Sequence, residues 1–249
     1  MLIFIIYIIF IMIIYIKLNL RKYTFKKKNT IYSNEDKILL KLNHKNIIKL
    51  IKVEKKYNLY KILYLENFDS PSLSRLNVDN FLNESDWENS VKNIIFQVLS
   101  GLEHIHNQGY IHNDIHPGNI LYNHKSKKIM IIDFDSCVTD KYIVKSIGSR
   151  YYTAPEKVKS YIKGSPISFK IDIYSLGCIF HVLLTGFTIY YSVRANKIHE
   201  KNDQNNGISL DHLNNYSKDC LNLLYKMLYK NPKKRISTQK AINHNWFIN

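Results

Sequence analysis

Apolar positions are spaced differently from one part of the chain to the next, and each spacing predicts a different element. Residues 1–16, from Met1 to Ile16, contain neither a charge nor a turn former and are rich in β-branched isoleucine. Between Glu35 and His44 the apolar Ile38, Leu39 and Leu42 recur at helical spacing, which predicts a helix. Two short apolar runs, Tyr110-Ile111 and Ile129-Met130-Ile131-Ile132, read as brief buried strands, each leading into a polar loop. From Asp172 the apolar pattern continues through Val182-Leu183-Leu184 to Thr185-Gly186, predicting a long buried helix. Asp69-Ser70-Pro71-Ser72 reads as a turn, and the polar stretch from Arg194 to Asn206 as a surface loop.

The two loops carry the chemistry. His112-Asn113-Asp114-Ile115-His116-Pro117-Gly118-Asn119 is followed by Asp133-Phe134-Asp135. Asp114, Asn119 and Asp133 are the oxygen donors that phosphoryl transfer needs: a carboxylate to orient a hydroxyl, and ligands to hold magnesium against a triphosphate. A single His-x-Asp triplet is more often a turn or cap than a catalyst. The second loop makes the pair far more specific.

These segments resemble the catalytic loop (H-R-D-L-x-x-x-N) and the magnesium loop (D-F-G) of the eukaryotic-type protein kinases, serine/threonine kinase-like. Gly148-Ser149-Arg150-Tyr151-Tyr152-Thr153-Ala154-Pro155-Glu156 resembles the end of their activation segment, and Asp172-Ile173-Tyr174-Ser175-Leu176-Gly177 the start of their long buried helix. Asn231-Pro232-Lys233-Lys234-Arg235 resembles a late turn whose arginine pairs with the glutamate of Ala-Pro-Glu, here Arg235 with Glu156. The resemblance covers roughly residues 35–249 and implies an α+β, two-lobed protein-kinase-like fold. Its small β-rich N-lobe lacks the glycine-rich hairpin, and its C-lobe is mainly helical.

It also implies site residues. Glu35 would pair with a lysine that holds the α- and β-phosphates of ATP; Lys17, after the apolar strand Ile13-Ile14-Tyr15-Ile16, is the first choice, with Lys22, Lys26, Lys27 and Lys28 as rivals. Leu65-Glu66-Asn67-Phe68 would be the hinge, with the Glu66 carbonyl and the Phe68 amide facing the adenine. Asp114 would orient the acceptor hydroxyl, and Asn119 and Asp133 would hold Mg²⁺. His116 stands where the family commonly has a lysine on the γ-phosphate, Asn113 where it has arginine, and Asp135 where it has glycine.

No glycine occurs in residues 1–34, so the phosphate-covering turn of the family has no counterpart there. As a helix, residues 1–16 would span about 24 Å, short of the ~30 Å hydrocarbon core. They are read here as remnant N-lobe strands in a chain with a missing front edge; a membrane anchor that leaves the basic residues after Lys17 in the cytosol is the other reading. The expected division is 1–16 as this hydrophobic segment, 17–66 as a partial N-lobe and 67–249 as the C-lobe.

Composition adds little to this. The net charge of +16 comes from lysines scattered among Asn, Ile and Tyr, so no specific nucleic-acid partner is expected. The three cysteines form no Cys-x-x-Cys pair, which speaks against a zinc site or a disulfide framework and fits a cytoplasmic location; a monomer is expected. The expected activity is ATP- and Mg²⁺-dependent phosphorylation of a protein serine or threonine, slowed by the neutral imidazole at His116. A catalytically impaired pseudokinase that acts as a binding or scaffold module is the alternative. The small-molecule kinases share the His-x-Asp-x-His-Pro-Gly-Asn loop but lack the Ala-Pro-Glu segment.

Overall fold

The computed structural model describes residues 23–29, 33–56, 60–78, 86–144, 146–147, 149–189, 213 and 215–248. The hydrophobic run 1–16 and the polar stretch 194–206 therefore lie outside the described residues. Among the described residues no helix is long and apolar enough to cross a membrane.

The N-terminal part is an antiparallel sheet in the order β1 (Tyr23–Asn29), β3 (Tyr60–Glu66), β2 (Leu50–Lys56). In β3 every second side chain is buried, so Lys61, Leu63 and Leu65 share the inner face. The register sets Lys26 opposite Leu63, and directly paired residues project to the same side, so Lys26 also points inward. Helix α1 (Glu35–Leu39) is only five residues long, below the length at which a helix is stable alone. Two lysines of the sheet anchor it: Lys26 pairs with Glu35, and the buried Lys61 pairs with Asp36 and donates to the Ser33 carbonyl.

The C-terminal part is helical. Helix α2 (Trp87–Asn107) buries Val91, Ile94, Ile95, Val98, Leu99, Leu102 and Ile105 completely, a continuous apolar stripe at helical spacing. At Gly101 a Cβ would lie 2.7 Å from Ile131 Cδ1, so a larger residue here would force that side chain to shift. Short strands β4 (Tyr110–Ile111) and β7 (Val138–Thr139) pair with each other, as do β5 (Ile120–Asn123) and β6 (Lys128–Ile131). Helix α3 (Pro155–Lys163) stops at Gly164 in the left-handed conformation (φ 68°), which costs glycine nothing.

Helix α4 (Lys170–Thr185) is apolar on most of its circumference and is buried accordingly between α2 and α5 (Lys218–Met227). Two short helices, α6 (Thr238–Ile242) and α7 (Asn245–Ile248), close the chain. The architecture is α+β, with a small sheet-based part and a larger helical one, as the resemblance implied. The two parts are stitched at Asn46, whose carbonyl accepts from Ile131 N at 2.8 Å and whose amide donates to Gln97 at 2.9 Å.

Candidate active site

One carboxylate organises the first loop. Asp172, at the start of α4 and 1% exposed, accepts hydrogen bonds of 2.9 Å from the backbone amides of His112 and Asn113, and a third of 2.9 Å joins it to His106 Nε2. These bonds hold Asn113 at φ 66°, a left-handed backbone that asparagine tolerates better than most residues. Burial alone pushes the Asp172 carboxyl up, but the His106 bond, the neighbouring histidines and the Asn113 amide outweigh it and leave it below the usual carboxylate range. A carboxyl lowered on folding stabilises the fold fully above its unfolded pKa of about 3.9, and the contribution fades as pH falls through the lower folded value. Asp172→Asn is therefore expected to melt well below the parent protein at pH 7, and the gap to narrow below about pH 4. Melting curves across that range check it.

His112 is fully buried, and burial holds its pKa below the ordinary value. Its Nδ1 accepts from the Asp114 amide at 3.3 Å, so Nε2 carries the proton and donates to the Ile132 carbonyl at 3.1 Å. This neutral ring joins the first loop to the strand that leads into the second, and Phe134 packs edge-on against it. Asn119 Nδ2 donates to the Asp114 carbonyl at 2.9 Å and lies 3.3 Å from Asp114 Oδ2, while its own carbonyl accepts from Ile132 N at 3.0 Å. Both protons of the amide are thus directed at Asp114. Its Oδ1, the atom able to ligate a cation, meets no donor among the described residues.

His116 is fixed in the same way. Its Nδ1 accepts from Gly118 N at 3.1 Å, which puts the proton on Nε2, 3.6 Å from Asp114 Oδ2. The His116 contact is the main reason that the Asp114 carboxyl stays below its ordinary value despite partial burial. A Cβ at position 118 would lie 2.7 Å from the His116 ring, so the imidazole occupies the space that glycine leaves.

Across the cleft, Lys26 Nζ bridges Glu35 Oε1 at 2.9 Å and Asp133 Oδ1 at 2.6 Å. Glu35 is fully buried and also accepts from Phe134 N at 3.1 Å, so α1 is tied directly to the second loop. Asp133 itself sits at φ 65°. Lys17, given the pairing role by the resemblance, lies outside the described residues; the lysine that reaches Glu35 is its rival Lys26. No alternation of apolar and polar residues marks Lys26 within the basic run Lys26–Lys28, and only the register with β3 turns it inward.

At the junction of the two parts, Glu66 N donates to the Lys49 carbonyl at 2.9 Å and its side chain accepts from Lys49 N at 2.8 Å. The Phe68 amide finds no acceptor among the described residues. Asp135 is exposed and its backbone is not left-handed, so nothing here requires the glycine that the family has at this place.

Sequence reading missed two contributors. His106 supports Asp172 from the end of α2, and Lys157, the first residue after Ala-Pro-Glu, is 6% exposed and donates to the Asn113 carbonyl at 2.5 Å. Burial lowers the Lys157 pKa, against the pull of Asp114 and Asp172. The expected ion pair is present: Arg235 engages Glu156 through two bonds, 2.5 and 3.0 Å, and lies over the Tyr174 ring.

No cluster of three or more His, Cys, Asp or Glu side chains able to hold a metal ion exists among the described residues. Mg²⁺ is commonly held by one or two protein oxygens together with substrate phosphates. Asn119 Oδ1 and the carboxylate of Asp133 supply such oxygens.

The protein kinase domain family matches residues 12–247 of the chain. The chain is 32% identical over 223 residues to calcium-dependent protein kinase 5 of Plasmodium berghei, covering 85% of this chain and 37% of that protein. It is also 32% identical over 216 residues to a probable serine/threonine-protein kinase of Encephalitozoon cuniculi, covering 86% of this chain and 36% of the relative. The chain spans little more than a third of the length of these two relatives.

Proposed function

The chain belongs to the protein kinase family, and from that premise we propose that it transfers the γ-phosphoryl group of ATP to serine or threonine hydroxyls of a protein. The observation that carries this reading is the bridge from Lys26 to both Glu35 and Asp133. It sets a cation, which phosphates need, against a carboxylate, which a phosphate-bound metal needs. Asp114 orients the acceptor hydroxyl and takes its proton as the bond to phosphorus forms. Lys26 contacts the α- and β-phosphates, the Glu66 carbonyl and Phe68 amide take the adenine, and Asn119 and Asp133 hold Mg²⁺. When bound, the metal neutralises charge developing on the phosphates.

His116 Nε2 lies 3.6 Å from Asp114 Oδ2, and in this reading it offers a hydrogen bond beside the transferring group. An open concavity of about 510 Å³, lined by Leu76, His116, Gly118, Tyr152 and Val182 among others, offers the acceptor segment a place beside the loop.

Lys157 acts as a positioning residue in this reading: it clamps the end of the activation segment to the Asn113 peptide that precedes Asp114. Lys157→Met is expected to lower kcat by about 10²-fold through misplacement of Asp114. Its Tm should hold or rise, since an apolar chain replaces a buried cation. Steady-state kinetics with melting curves check both, and an unchanged kcat removes Lys157 from the mechanism.

The test of the function is transfer of label from γ-³²P-ATP to a generic protein substrate, followed by phosphoamino-acid analysis. Phosphoserine or phosphothreonine is expected. Label on tyrosine alone contradicts the acceptor class. Equal signals from the parent protein and Asp114→Ala favour the second reading, a binding module without turnover, which the histidine at position 116 and the glycine-free residues 1–34 recommend.

A further inference from the structure

A concavity of about 520 Å³ that shares no lining residue with the candidate active site lies between the start of α4, helix α5, the turn 231–235 and helix α6. Five lysines line it: Lys170, Lys226, Lys233, Lys234 and Lys240. Lys26 and Lys61, by contrast, each meet a carboxylate. Among the described residues none of these five has a carboxylate within ion-pair distance. Arg235, at the floor, is already satisfied by Glu156. The one acid of the lining is Asp219.

The hydrogen bonds sharpen the imbalance. Lys226 Nζ lies 3.4 Å from His244 Nε2, but His244 Nδ1 accepts from Trp246 N at 3.3 Å, so Nε2 carries its proton and donates to Asn222 Oδ1 at 2.9 Å. The nearest polar neighbour of the Lys226 ammonium is therefore itself a donor. Lys170 spends one proton on the Arg235 carbonyl. Its pKa is held below the ordinary value by burial and then by Arg235 and Lys240, and His244 is lowered by burial and then by Lys226, against the pull of Asp219. Several cations thus crowd one hollow lined by a single carboxylate, Asp219, an arrangement that an anion would relieve. The volume is that of a small-molecule site. Flexible ammonium groups around such a hollow suit phosphate as point charges, without the planar fork that selects carboxylate.

We propose that this concavity, distinct from the nucleotide cleft, binds a small soluble polyanion bearing two or more phosphate groups. Calorimetric titration of the whole chain with inorganic tripolyphosphate, in about 0.15 M KCl to screen general attraction and with chelator to exclude Mg²⁺, tests it. The parent protein and Lys26→Met, altered only in the cleft, are expected to bind one tripolyphosphate alike in this site. The triple variant Lys226→Met/Lys233→Met/Lys240→Met should lose at least tenfold in affinity. A control, Lys125→Met/Lys127→Met/Lys163→Met, removes the same charge from exposed positions elsewhere and should bind like the parent. The proposal is overturned if the parent does not bind, if both triple variants weaken equally, if binding is lost in Lys26→Met instead, or if orthophosphate binds as tightly as tripolyphosphate.

Discussion

Asp114→Asn is expected to lower the rate of phosphoryl transfer by about 10²–10⁴-fold, the usual contribution of a positioned general base. The substitution is nearly isosteric, so the Asn119 bond to the Asp114 carbonyl and the His112 bond to the Asp114 amide both remain. What disappears is the carboxylate, kept ionised chiefly by His116, that can receive a proton. Nucleotide affinity should therefore stay within about twofold, because the Lys26 bridge and the Asp133 carboxylate lie on the other side of the cleft. The signature is a fall in kcat with a nearly constant KM for ATP, the pattern of an interaction made in the transition state rather than in binding. A kcat within twofold of the parent would leave Asp114 without the role given to it.

The second large effect is on stability. Glu156→Ala leaves the guanidinium of Arg235, whose side chain is fully buried, without its carboxylate. Breaking one partner of a buried pair costs about 3–5 kcal/mol, since the remaining charge stays desolvated. Arg235 keeps bonds to the carbonyls of Tyr229 and Lys170 at 2.8 and 2.7 Å, which points to the lower end of that range. For a chain of this size the loss amounts to a Tm about 10 °C lower. The double variant Glu156→Leu/Arg235→Met should recover much of it, because it removes both charges and fills their space with apolar atoms. A single variant that melts with the parent would mean that water reaches the arginine and the pair is not sealed.

Most of the large helical part was legible because its chemistry-bearing residues are also its most constrained ones. The order His112, Asp114, Asn119, Asp133, Glu156, Asp172, Arg235 follows loops whose spacing short strands fix; in the structure Asp172 and His112 tie the first loop together and to the strand before the second, while Arg235 meets Glu156. Helix α4 was legible from its apolar run, since a helix buried on nearly all sides has no polar face to interrupt it. Lys26 was less accessible. Strand β1 owes its placement to seven pairings with β3, a long-range register that the basic run Lys26–Lys28 does not announce. The apolar residues before Lys17 offered a more obvious strand, and they lie outside the described residues.

Lys157 and His106 were overlooked for a different reason. A lysine in the first turn of a short helix and a histidine near the end of a long one are ordinary solvent-facing placements. Only the close approach of α3 and α2 to the Asn113 peptide and to Asp172 gives them partners. Charge composition hid the remaining feature. The lysines look scattered along the sequence, yet the turn 231–235 and helices α5 and α6 gather several of them into one hollow.

In the proposed reaction Asn119 and Asp133, from separate loops, would serve one divalent ion on a nucleotide beside Asp114. The most direct test is the rate of γ-phosphoryl transfer as a function of free Mg²⁺ in the parent protein, Asn119→Ala and Asp133→Asn. No transfer is expected in excess chelator, and in each variant either a loss of transfer or an Mg²⁺ requirement raised at least tenfold. Transfer that persists without the metal, or variants that follow the Mg²⁺ dependence of the parent, would contradict this role.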